Sequence, residues 1–193
     1  MSNFIKFFET NTLDFSVEKE TAINTYKEYI LNGRQLVPSL WIYSPSDTIC
    51  SVQGKPFNSE EDHSEQIVSM MLLASAAKAE HVLLTFGFDV EFIDGIVRSS
   101  IVTILANHTG SLAEPFAYSL ENDNVVFDKS LELPADKMCY PNTINHILAM
   151  GMKIKNAVDK PSKVVGWLSS QNFDIQFYNE YNQDTVDYIT FSI

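Results

Sequence analysis

Hydrophobic and polar residues alternate most regularly between His81 and Ile93. Leu84, Phe86, Phe88, Val90 and Phe92 share one parity, and Thr85, Gly87, Asp89 and Glu91 the other. A period of two predicts a half-buried strand, one face in the core and one in water. Asp94-Gly95 lies between Ile93 and Ile96, the dipeptide that favours a two-residue type I′ turn. The return strand then runs from Ile96 to about Asn107. A two-residue turn sets the register, with Glu91 opposite Arg98, Asp89 opposite Ser100 and Phe88 opposite Ile101. Asn107 to Gly110 reads as a loop. Glu114 to Glu121 and Val125 to Leu131 read as a second hairpin around Asn122-Asp123-Asn124.

Other stretches repeat at helical spacing. Val17 to Leu31 places Ile23, Tyr26 and Ile30 on one face, with Ser16 as N-cap and Gly33 just past the end. Leu36 to Tyr43 and Thr48 to Gln53 read as strands joined through Pro45-Ser46-Asp47. A second helix begins near Glu60, capped by Ser59, with Glu60, Glu61 and Asp62 where carboxylates suit the helix dipole. From Ile67 to Ala79 only Ser69, Ser75 and Lys78 are polar. A helix apolar on all sides must be covered on more than one side, by its own chain or by a second subunit. A third helix is expected over Thr143 to Asn156, and strands over Lys163 to Leu168, Phe173 to Tyr178 and Val186 to Ile193. Strands outnumber helices and βαβ alternation is absent. The expected fold is therefore a single α+β domain over residues 1–193, a mostly antiparallel or mixed sheet with about three helices packed on it.

Composition agrees with a folded chain. Its 193 residues include 13 Phe, 8 Tyr and 2 Trp, side chains that favour burial. Twenty-five acids against 13 bases give a formal charge of -12. That excess repels phosphate, so neither nucleic acid nor an anionic membrane surface is an expected partner. Met1 to Phe15 does not read as a signal peptide, and no stretch is long and apolar enough to span a bilayer. Cys50 and Cys139 form no disulfide framework. A soluble, cytoplasmic protein is the expectation by elimination.

The common signatures of nucleotide-binding loops, zinc proteases, serine hydrolases and EF-hands are absent. Glu60, Glu61, Asp62, His63 and Glu65 contain ligand-type atoms, but a capped helix start explains them without a metal. Cys139 and His146 stand seven residues apart, a weak basis for a thiol–imidazole pair. Lys153, Lys155, Lys160 and Lys163 read as a solvated helix end. Asp89 and Glu91 project from one face of a strand, and His108 sits in a loop. No cofactor is called for. The first functional expectation is a non-enzymatic interaction or structural protein that self-associates as a homodimer through its second helix. The alternative is a small hydrolase or metal-assisted enzyme using Asp89, Glu91 and His108.

Overall fold

The computed structural model describes residues 15–107, 110–128 and 160–178. In chain order these form α1 (Phe15–Leu31), β1 (Ser39–Tyr43), β2 (Thr48–Gln53), α2 (Glu60–Ala76), β3 (His81–Glu91), β4 (Val97–Asn107), β5 (Gly110–Glu121), β6 (Asn124–Phe127), α3 (Pro161–Ser170) and β7 (Asp174–Phe177). The seven strands make one sheet in the order β6-β5-β4-β3-β1-β2-β7, antiparallel at every pairing. The α+β class expected from the sequence is what the chain adopts. Among the described residues no helix is long and apolar enough to cross a membrane.

The helix ends follow the local chemistry. Ser59 has an extended backbone and its Oγ accepts from the Asp62 N–H at 3.1 Å, an N-cap bond. Gly33 takes φ +63, Arg34 N–H donates to the Tyr29 carbonyl and Gly33 N–H to that of Ile30. That pair of bonds is a Schellman stop. Ser16 lies within the described span of helix α1 rather than capping it.

Both faces of the sheet are covered. On one side Leu40, Ile42, Val52, Val82, Leu84, Phe86, Val102 and Ile104 pack with Ile67, Met70 and Leu73 of α2 and Val164, Val165 and Leu168 of α3. On the other, Phe15, Ala22, Ile23 and Tyr26 of α1 meet Tyr43, Leu83, Ile101 and Leu105. The expected half-buried strand is thus buried on both faces from His81 to Phe86, and only its far half, with Asp89 and Glu91, reaches water. Alternation reports where polar side chains fall, and here Leu83 and Thr85 continue the buried run beneath α1.

Two further readings are corrected. Lys163 to Leu168 is helical: Pro161 supplies the fixed φ of a first turn, and Val164, Val165 and Leu168 line one face. A short run of branched residues does not distinguish a buried strand from a buried helix. The β3–β4 loop is also longer by one residue. Gly95 N–H donates to the Phe92 carbonyl, Phe92 N–H to that of Ile96, and only Gly95 has positive φ, at +74. That is a type I turn followed by a left-handed glycine, a three-residue loop rather than type I′. The register shifts accordingly, with Glu91 opposite Val97, Asp89 opposite Ser99 and Phe88 opposite Ser100. A two-residue turn does form at Asn122-Asp123, both at positive φ, between the paired Glu121 and Asn124. The helix expected over 143–156, the strand over 186–193 and the Cys139–His146 pair lie outside the described residues.

The glycine at 95 remains essential under the corrected loop. A Cβ there meets nothing within 4 Å, so its effect is purely conformational. Gly95→Val is expected to lower stability by about 1 kcal/mol or more, because a branched residue resists positive φ. An unchanged thermal melt would contradict the loop conformation.

Candidate functional site

Strand β1 begins at Ser39, paired with Thr85, and β3 continues past that point to Glu91. The space beyond the start of β1 is an open groove of about 540 Å³. Gln35 and Leu36 enter it from the segment before β1. Phe57, Glu60 and His63 enter from the segment after β2 and the first turn of α2. Gly87, Phe88 and Asp89 of β3 form its floor, with Ser99, Ser100 and Tyr118 along the adjoining strands.

Local bonds hold these walls. Gln35 Nε2 donates to the Phe57 carbonyl at 2.9 Å, and Phe57 N–H donates to Gln35 Oε1 at 3.1 Å. One side-chain amide thus satisfies a backbone donor and acceptor as a neighbouring strand would. Gly87 is required by the approach of Leu36, since a Cβ would stand 2.6 Å from the Leu36 Cβ. The Gly87 N–H reaches the Leu36 carbonyl at 3.4 Å.

His63 is the buried polar group of the groove, with 5% of its surface exposed. Its ring lies 4.7 Å from that of Phe57 and 5.2 Å from that of Phe86. No hydrogen-bond partner meets its buried Nε2 among the described residues. Burial holds the imidazole below its ordinary value, against the opposing pull of the Asp62 carboxylate. Asp89 accepts from Ser99 Oγ at 2.8 Å. Burial raises the Tyr118 phenol, and the Asp89 charge raises it further. The rim carries carboxylates at Glu60 and Asp89 and no lysine or arginine among the lining residues.

Of the three expected site residues, Asp89 lines the groove. Glu91 shares its face of β3, two pairs nearer the hairpin loop, and is not among the lining residues. His108 lies outside the described residues, and Asn107 before it pairs with His81, at the end of β3 opposite Asp89. The cross-strand charge pairing expected between Glu91 and Arg98 is replaced. Arg98 forks onto Asp94 instead, Nη2 to Oδ2 at 2.6 Å and Nη1 to Oδ1 at 2.9 Å. The Arg98 bonds, with the Ile96 N–H, hold the Asp94 carboxyl down at about 2. Among the described residues no three His, Cys, Asp or Glu side chains come together as a metal site.

Sequence reasoning placed His63 only in an acidic helix start and did not find Gln35, Phe57 or Tyr118. They meet across strand pairings, and no local spacing signals them. A second hollow of about 190 Å³ lies under α1, lined by residues including Tyr29, Ser39, Trp41, Ser51, Gln53 and Tyr178. Its polar groups largely satisfy one another: Gln53 Nε2 donates to Tyr29 Oη at 2.7 Å, and the Ser51 and Tyr178 hydroxyls lie 3.1 Å apart. No protein-family model matches the chain, and neither a curated protein nor a solved structure matches it.

The His63 environment fixes a pH effect. A folded-state pKa below 6.5 means the unfolded chain binds the proton first, so this contribution to stability is present near neutrality. It is lost as pH falls from about 6.5 toward the depressed folded value. His63→Gln should remove that part of the acid sensitivity. Urea midpoints of both proteins at pH 7 and pH 5.5 check this, and equal pH slopes would contradict it.

Proposed function

We propose that the protein is a non-catalytic binding module whose groove takes a cationic ligand with apolar surface. The observation that carries this reading is the pairing of an acidic rim, Glu60 and Asp89, with aromatic walls, Phe57, Phe88 and Tyr118, in a groove with no lysine or arginine among its described lining residues. Carboxylates favour ammonium or guanidinium groups and repel phosphates and carboxylates. Aromatic rings attract cations through their faces and cover apolar carbon. The volume of about 540 Å³ is that of a small-molecule or side-chain site. Among the described residues His63 Nε2 has no hydrogen-bond partner and so is not joined to Ser99 or Asp89 in a nucleophile–base–acid chain.

Benzylammonium is a suitable probe. Saturable amide shifts at Phe57, His63 and Asp89 are expected with it in two-dimensional NMR, and none with benzoate at equal concentration. Asp89→Asn should weaken binding by about two- to fivefold, the size of a solvent-screened ion pair of up to ~1 kcal/mol. Benzoate binding as well as benzylammonium would sink the proposal.

Self-association through α2 is a second reading, with narrower support than the apolar run from Ile67 to Ala79 first gave it. The sheet and α3 take up most of that run, and Val68 and Leu72, 43% and 39% exposed, remain on one helical stripe. Trp167 of α3 is also 44% exposed. A twofold contact over these side chains would give a dimer mass by light scattering at tens of micromolar, lost in Val68→Glu/Leu72→Glu. A clean monomer mass for the unmodified protein would end this reading.

A further inference from the structure

We infer that the ligand of the groove is an extended peptide bearing basic side chains, which adds in line with β1 to the edge of β3 from Gly87 to Asp89 that no described strand covers. This rests on the cationic-ligand reading above and goes further in naming the ligand class and its mode of binding.

The edge is defined by the ladder. Strand β1 pairs with β3 from His81 to Thr85, while β4 pairs with it along its whole length to Glu91. From Phe86 onward, β3 therefore has a neighbour on one side and, among the described residues, no strand on the other. The direction of each backbone group follows from three bonds. The Tyr26 hydroxyl donates to the Thr85 carbonyl at 2.6 Å, from the β1 side. The Gly87 N–H reaches Leu36 on that same side. The Phe92 N–H donates to Ile96 across the hairpin, toward β4. Odd-numbered residues of β3 thus aim their backbone at the open edge and even-numbered ones at β4. The Gly87 carbonyl and both backbone groups of Asp89 face the groove, with no partner among the described residues.

Natural edge strands are commonly blunted by lysine, proline, a bulge or a covering loop. The segment Gly87 to Glu91 carries none of those residues; its charged groups are Asp89 and Glu91. Acids at an edge repel a second acidic strand and attract a basic one. A second copy of this edge would set Asp89 and Glu91 against themselves, which disfavours pairing of two β3 strands. A strand laid here would alternate its side chains between the two faces of the sheet. One set would pass the face of Asp89, Ser99 and Tyr118, and the other that of Phe86, Phe88 and His63. The complementary sequence alternates basic with apolar residues. Strand addition of this kind draws affinity from main-chain bonds and specificity from alternate side chains.

The test uses four fluorescein-labelled hexapeptides: Val-Lys-Val-Lys-Val-Lys amide, the same peptide with Glu for Lys, and the two isomers of the basic peptide N-methylated at alternate residues. Fluorescence anisotropy should show saturable binding of the basic peptide and none of the acidic one, with binding weakened two- to fivefold by Asp89→Asn. One N-methyl isomer should lose affinity by tenfold or more and the other keep it, because only alternate amides face the β3 edge. Charge attraction alone would not distinguish the isomers. Equal binding of both isomers and the parent would overturn strand addition, even where benzylammonium still titrates the groove. Loss of benzylammonium binding as well would overturn the cationic groove itself. An N-methyl-sensitive peptide that competes equally well in the acidic form would overturn the charge argument.

Discussion

The Tyr26 hydroxyl is the group on which the rest of the arrangement depends. It is fully buried, lies within hydrogen-bonding reach of the Val37 and Thr85 carbonyls with one proton to share between them, and is 3.2 Å from Ser39 Oγ. Buried carbonyls without donors are costly, and the Val37 carbonyl stands just beyond the end of the β1–β3 ladder, whose last pair is Ser39 with Thr85. A side chain from α1 therefore closes the ladder that the backbone leaves open. The same bond fixes the height of α1 on the sheet. Lys19 ties that helix to β5 through Glu114, at 2.6 Å. With β1 ended at Ser39, Leu36 turns across Gly87, and the groove opens beyond it.

That constraint also explains why two kinds of surface occur on one strand. The first half of β3 lies under α1 on one side and α2 on the other, and is buried throughout. The second half runs past the end of α1, so Asp89 and Glu91 can carry charge without the cost of taking a carboxylate out of water. Helix α2 begins beside this second half. Its first turn places Glu60 on the rim and buries His63 between Phe57 and Phe86. The helix dipole stabilises the carboxylates of that turn whether or not a ligand is present, so the acidic rim is compatible with a stable fold.

Legibility in the sequence followed the range of the interactions. Ser59 as a cap, Gly33 as a stop, the alternation of β3 and the span of β2 each depend on neighbours within a few residues, and each is readable. Asp89 was readable as a polar position on a strand, but its partner was not. A three-residue loop and a two-residue loop share the Asp-Gly pair, and the one-residue difference moves every cross-strand partner. Lys163 to Leu168 misled for a related reason: two adjacent valines suit a buried strand, and only packing against α2 makes them one face of a helix. Gln35, Phe57, His63 and Tyr118 come from four separate segments. Their meeting is a property of the strand order, which places β3 beside β1 after the chain has crossed over through α2.

The loop correction bears on function more than on fold. Arg98 is the sole lysine or arginine in β3 and β4. In the two-residue turn it would stand opposite Glu91, on the face it shares with Asp89, and would offset that acidic surface. In the three-residue loop it stands opposite Val90, and its guanidinium forks onto Asp94 within the turn. The charge is thereby used locally, to brace a loop whose Asp94 also accepts from the Ile96 N–H. Asp89 is left to a hydroxyl partner, Ser99, which orients a carboxylate without neutralising it. The acidity of the groove is therefore a consequence of loop length. One added residue at the hairpin tip sends Arg98 to the face of β4 away from Asp89 and into a bond with Asp94.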